Sequence, residues 1–249
     1  MDVTDMIEYN LELLNHNDLT TSYFHLDRSD PTLGFAFDAS RVSGHTYPAV
    51  APSFSEDDCP SSSDHRDLLL RLRLGSHLAQ RLRHQLEEQK GYTSTVGIST
   101  NKLISKLVGN VNKPKGQTTL IPPYISSNLN GTSNVVQFVD DHDVGKIPGI
   151  GFKIAQKIRN HVLQRPAAFS AGLVYGPTKE NVKVRDVRML EGMGPELLSR
   201  LLAGPGAPRD LGEKMWGLIN GVDDTEVAKG KEVPQQISIV SLQRLWDEV

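Results

Sequence analysis

The sequence predicts an α+β fold, a sheet with helices on one face, followed by a small all-α segment. Two observations carry this. Up to about residue 121 the periodicity runs strand, helix, helix, strand, helix, strand, the rhythm of a sandwich with helices on one side of a sheet. Beyond Val139 the texture changes to short helical stretches separated by glycine and proline.

Each element follows from its residues. Asp2 and Val3 read as the tail of a strand, and Thr4 as the cap of a helix whose apolar face is Ile7, Leu11 and Leu14. From 16 to 63 the periodicity disappears into Ser, Asp, Pro and Gly, ending in SFSEDDCPSSSD. A loop of that length is unusual inside a compact domain, so 16–63 reads as a disordered insertion elaborating the core. Ser63 or Asp64 caps a long amphipathic helix through Glu88, with Leu68, Leu72, Leu78, Leu82 and Leu86 apolar and Gly91 just past its end. Residues 92–99 alternate and are β-branched, which predicts a strand. Residues 101–108 form a short helix with Leu103 and Leu107 on one face and Lys102 and Lys106 on another. A further strand follows at 118–121. The change of texture places a domain boundary near Phe138, and GKEVPQQ from Gly230 reads as a linker.

Composition removes several function classes. No apolar run among the 249 residues approaches the length of a membrane span, for which ~18–20 residues are needed. The start, MDVTDMIEYN, lacks the basic and apolar parts of a signal peptide. The single cysteine, Cys59, excludes an internal disulfide framework and any multi-cysteine metal centre, and a reducing compartment fits best. The eight histidines show no metal-ligand spacing, and Ser61–Ser63 with His65 belong to a low-complexity tract without nucleophile chemistry.

The net charge of −3 conceals an asymmetry. Residues 1–65 carry 2 basic and 12 acidic side chains, 66–116 carry 10 and 3, and 139–232 carry 14 and 13. Two readings fit the basic middle: a polyanion partner, or a solvated helix face.

Two stretches carry candidate chemistry. In GKIPGIGFKIAQKIR, Gly149 and Gly151 let the backbone turn with positive φ and approach another molecule closely. The helix from Phe152 presents unpaired N–H groups at its positive end, so Gly149, Ile150 and Gly151 form a phosphate seat with Lys146, Lys153 and Lys157 around it. The pattern resembles the helix-hairpin-helix motif, which grips a nucleic-acid backbone without reading sequence; the other reading is a structural αα turn. LEGMG at 190–194, before a helix at 195–202, is a weaker second unit that packs on the first, with DNA contact also open. In the second stretch, VGISTNKLISKLVGNVNKPKGQT, a strand delivers Ser99 and Asn101 to its end and Lys102 opens a helix. A lysine there opposes the helix dipole, which an anionic ligand would offset, although an exposed lysine with no partner satisfies the same sequence.

GISTNKLISKLVGNVNKPKGQT resembles the last palm segment of the Y-family translesion DNA polymerases, roughly GIxxNKLLAKLASxxxKPxGQT. The hairpin then falls where that family's thumb begins, GVDD at 221–224 matches its closing signature, QQISI at 235–239 resembles the linker to the little finger, and MDVTDM resembles its strand-to-helix step. The resemblance covers about 1–14 and 66–240, with the iota and eta branches most similar. It implies a partial palm over 1–138, a helix-hairpin-helix thumb over 139–232 and the start of a linker over 233–249. Lys102 would contact the triphosphate of the incoming nucleotide, and the hairpin a backbone phosphate of primer-template or damaged DNA. The family's long palm helix packs behind the sheet, so most of Arg66, Arg71, Arg73, Arg81 and Arg83 are expected to be solvated. The family's Asp-Glu pair for two Mg²⁺ ions would precede Met1, so no catalytic or metal-binding residue is expected here, and Asp2 and Asp5 match non-catalytic positions. At the other end, VSLQR at 240–244 departs from the acidic pattern of the family. The expectation is a nuclear polymerase fragment, inactive alone, with no membrane contact and no visible motif for a replication clamp. A non-catalytic DNA-binding module derived from such a polymerase, and a helix-hairpin-helix base-excision glycosylase, are the alternatives; the latter leaves Gly97–Thr118 without a role.

Overall fold

The structure, a computed structural model, describes residues 1–49, 63–124, 133–168 and 180–228. Helix α1 spans Thr4–Glu12, and Val3 rather than Thr4 holds the cap position. Asp2 and Val3 are not in a strand. The Asp2 carboxylate accepts from the Thr4 amide at 2.9 Å and from the Thr4 hydroxyl at 2.7 Å, turning the chain straight into the helix.

The stretch expected to be a disordered insertion is partly a sheet. Strands β1 (Ser22–His25) and β2 (Gly34–Phe37) form an antiparallel hairpin, and β3 (His45–Tyr47) joins a different sheet. Aromatic alternation makes the hairpin: Phe24 is fully buried, stacks on Phe35 at 5.2 Å and meets Phe37 edge-on at 5.9 Å. The same cluster takes Ile7 and Leu14 from the α1 region and Leu74 and Leu78 from the next helix. Residues 50–62, including Cys59, lie outside the described residues, as do 229–249 with the expected linker.

Helix α2 (Ser63–Lys90) ends where Gly91 takes φ +71° and returns its amide to Glu87 O at 2.9 Å. Leu72 and Leu78 are buried as the pattern requires, but Leu82 and Leu86 are exposed, at 41% and 39%. The arginines divide: Arg66 and Arg81 are exposed as expected of most of them, and the other three are engaged. Arg73 is buried, Arg71 binds Glu8 through Nε at 2.6 Å, and Arg83 donates to Ser94 O at 3.0 Å and to Gln117 Oε1 at 3.3 Å. The Arg71 guanidinium holds the Glu8 carboxyl below its ordinary range.

Strand β4 (Thr95–Ile98), helix α3 (Lys102–Val108) and strand β5 (Gly116–Leu120) form one βαβ unit, with β4 parallel to β5. A Cβ on Gly97 would run into Ser105 O, so the bare strand lets α3 lie flat on β4. Strand β3 pairs parallel on the other edge, giving the order β3–β5–β4 with β5 buried along its whole length.

Helix α4 (Asn134–Asp140) is capped by Ser133 and runs across the boundary expected near Phe138. A 3₁₀ turn at Val144–Lys146 leads to α5 (Phe152–Leu163), then come α6 (Val184–Arg188), α7 (Pro195–Leu202) and α8 (Leu211–Ile219). One apolar core runs from Leu103 and Ile104 of α3 through Leu120, Phe138 and Val139 to Ile158, Leu198, Met215 and Ile219. The sheet and the C-terminal helices therefore share part of their interior.

Gln117 is the buried polar centre of the sheet, donating to Ser43 O at 2.7 Å and Ser76 O at 2.9 Å. Gln117→Ala should destabilise the chain by about 1–3 kcal/mol, because two buried carbonyls lose their donor. Urea unfolding followed by circular dichroism measures this.

Candidate nucleic-acid interface

Val144, Ile147 and Ile150 are buried in the core, which turns the opposite side of the 144–151 segment outward. Within it Gly149 has φ +91°, and the Ile150 amide closes the turn on Ile147 O at 3.0 Å. A Cβ on Gly149 would also stand 2.8 Å from Leu218 Cδ1 of α8, so glycine is required here by conformation and by packing. Gly151 is the cap residue of α5, extended at φ −69°, and a side chain there would meet nothing within 4 Å of its Cβ. The first acceptor inside the helix is Gly151 O, taken by the Ala155 amide at 2.9 Å. The amides of the opening turn therefore point out of the positive end of α5.

The predicted site residues separate on this frame. Lys146 and Lys153 are exposed beside the hairpin, and Gly149 and Gly151 are exposed at its tip. The Ile150 side chain is 4% exposed and faces the core, and its amide is bonded to Ile147 O. Lys157 turns away toward the C-terminal end of α7, with Nζ 3.3 Å from Leu201 O and 3.5 Å from Ala203 O.

The second unit repeats the same turn. Gly192 has φ +73°, the Met193 amide bonds Leu190 O at 3.0 Å, and the Leu198 amide of α7 bonds Gly194 O at 3.0 Å. Glu191 stands where the first hairpin has Pro148, and Glu196 lies in the first turn of α7, so this copy carries acidic rather than basic flanks. Helix α8 packs tightly on α7, where a Cβ on Gly212 would collide with Pro195 O and Ser199.

Asn101 is the hinge of the other candidate stretch. Its carboxamide oxygen accepts from the Ile104 amide at 2.8 Å, capping α3, while its NH₂ donates to Gly221 O at 2.9 Å. Lys102 Nζ donates to Glu226 O at 3.1 Å and the residue is exposed. The NK pair and the segment after α8 are thus joined, although they lie far apart along the chain. The sequence carries a signal for Asn101, since an asparagine immediately before a helix is a preferred cap. Ser99 at the end of β4 meets Tyr124 at 3.1 Å, and the Tyr124 hydroxyl donates to Leu120 O at 2.6 Å. Burial holds this phenol well above its ordinary range. Beside Lys102 opens a cleft of about 690 Å³, lined by Val3, Leu72, Leu78, Val96, Ile98 and Val227 among others.

Among the described residues no three His, Cys, Asp or Glu side chains gather as a metal site. Asp2 is occupied by Thr4, and Asp5 does not join it in such a group. These residues do not fit a two-Mg²⁺ centre.

Gly149→Ala should destabilise the chain by about 1–3 kcal/mol through the positive φ and the contact with Leu218. Gly151→Ala should have a smaller effect, limited to a poorer cap. Thermal melts of the two variants compare them directly.

The IMS: impB/mucB/samB family matches residues 1–110. DNA polymerase iota of Drosophila melanogaster is 35% identical over 111 residues, covering 44% of this chain and 13% of that polymerase. DNA polymerase iota of Homo sapiens is 29% identical over 156 residues, covering 63% of this chain and 16% of its own length. DNA polymerase IV of Colwellia psychrerythraea is 32% identical over 84 residues, covering 34% and 21%. The solved "Insertion ternary complex of Dbh DNA polymerase" has a TM-score of 0.41 at 20% identity, covering 65% of this chain and 37% of that one. The chain spans 13% to 16% of the length of the two iota polymerases. The match to the impB/mucB/samB family thus covers the first 110 residues, and the chain is similar to a part of DNA polymerases iota and IV.

Proposed function

We propose that this chain contributes the nucleotide-facing end of the palm and the DNA-gripping thumb of a translesion DNA polymerase, acting on nuclear DNA. The hairpin at Gly149–Gly151 holds a backbone phosphate of duplex primer-template or damaged DNA. The observation that carries this reading is the outward amide turn opening α5, with Lys146 and Lys153 exposed beside it. Backbone amides and lysine ammonium groups contact phosphate oxygens without reading base edges, which suits a polymerase that must accept any sequence.

Lys102 supplies the second contact. It stands at the end of β4, held by the Asn101 cap, and its ammonium group donates to a backbone carbonyl. A triphosphate arriving at this strand end would offer the ammonium group a full negative charge in place of that dipole. In the intact family enzyme Mg²⁺ supplies the charge neutralisation for phosphoryl transfer; Lys102 and the hairpin add phosphate binding and orientation.

Binding of the 1–249 chain to a labelled primer-template tests the hairpin. Lys153→Ala should weaken binding equally for unrelated sequences and reduce the slope of log K against log salt by about 0.9, the loss of one phosphate contact. Unchanged affinity and slope would remove the hairpin from the interface. Lys102→Ala should leave duplex binding intact and weaken binding of a fluorescent deoxynucleotide triphosphate; equal triphosphate affinity in both proteins would remove Lys102 from the site.

A further inference from the structure

We propose that Asp143 and Arg159 are positioning residues that hold the Gly149–Gly151 hairpin in its phosphate-binding shape. The proposal rests on the reading that this hairpin grips DNA. Asp143 lies just before the 3₁₀ turn, and one carboxylate oxygen accepts from the Gly145 amide at 2.8 Å. That same oxygen pairs with Arg159 Nη2, from about two turns inside α5. The other oxygen accepts from the Val182 amide at 3.2 Å. One carboxylate thus joins the segment entering the hairpin, the helix leaving it and the extended stretch before α6. Backbone bonds from the Val144 amide to Val182 O and from the Val184 amide to His142 O, both 2.9 Å, extend the same junction.

The environment makes this junction stiff. Arg159 is 6% exposed, and its Nε is buried without an acceptor among the described residues. Removing Asp143 would leave an uncompensated charge in the interior, so the guanidinium and the carboxylate are strongly constrained to remain together. A Cβ on Gly145 would run into that guanidinium, so the space between the turn and α5 is already filled. Across the hairpin turn itself runs the single Ile150–Ile147 backbone bond, among the described residues. Buried Val144, Ile147 and Ile150 set which side of the hairpin faces out, and the Asp143–Arg159 clamp then ties its entry to α5. Both side chains are bonded on the inner side of the turn, away from the exposed tip at Gly149 and Gly151, so their action on a phosphate is indirect.

A double-mutant cycle tests this, using the 1–249 chain, a labelled primer-template duplex and a salt titration. Asp143→Asn keeps an acceptor for Gly145 but removes the charge; Arg159→Lys keeps the charge but removes the planar fork. Far-UV circular dichroism and melting temperature identify which variant is folded, and Lys153→Ala is then added to it. The salt-slope change from Lys153→Ala is about 0.9 in the parent and should fall toward zero in the clamp variant, with less than a twofold change in affinity. If Lys153→Ala has its full effect in both backgrounds, the hairpin holds its shape without the clamp and the proposal is wrong. If Lys153→Ala has no effect even in the parent, the phosphate contact itself fails and the positioning role fails with it.

Discussion

Strand β5 is bonded on both edges and buried at every residue, yet its sequence, GQTTL, is polar at three of five positions. That combination constrains everything packed around it, because each buried donor and acceptor needs a partner. Gln117 answers by bonding the backbone at Ser43 and at Ser76 while accepting from Arg83. Thr118 accepts from Asn112 at 2.7 Å, so the loop that feeds β5 is fastened to the strand it becomes. Thr119 Oγ1 remains without a partner among the described residues, one polar group that the arrangement leaves unsatisfied. The sheet is therefore located against α2 and the β2–β3 connection by a polar network rather than by apolar packing alone.

The sheet in turn locates the C-terminal helices. Its carboxyl end delivers Asn101, whose side chain caps α3 and reaches the backbone just past α8. A Cβ on Gly221 would meet Val135 of α4 and lie 3.4 Å from Ile104, so the chain after α8 passes close against both helices. The core is continuous from Leu103 to Ile219, so the sheet with α3 and the C-terminal helices pack on one apolar interior. The two glycine hairpins inherit their directions from that core, since Val144, Ile147 and Ile150 bury one side of the first and Val187 and Leu198 anchor the second.

Much of this is legible in local chemistry. The α2 terminus at Gly91, the α3 start after Asn101, the α7 span and the positive-φ glycines of both hairpins all follow from caps and turn residues acting over four or five positions. The β1–β2 hairpin is hidden in the sequence because its strands are four residues long and are joined by Asp-Ser and Asp-Thr turns, such as Asp27 with Ser29 and Asp30 with Thr32. Such turns give a loop-like composition even when the flanking aromatics alternate. Arg71, Arg73 and Arg83 escape a sequence reading for a different reason: a basic helix face is solvated or paired depending on what another element places opposite it.

By itself the sequence determined the mixed α and β composition, the glycine turns, the lysines beside the first of them and the pairing of an asparagine cap with Lys102. These depend on φ preferences and on hydrogen bonds between near neighbours, which a short stretch of chain specifies alone. Only the tertiary structure decided that Ile150 faces the core, that Lys157 serves the end of α7, that Asp143 clamps Arg159, and that Lys102 lies beside the chain following α8. Each is a contact between distant segments, fixed by which apolar faces share one interior and which buried polar groups then need partners.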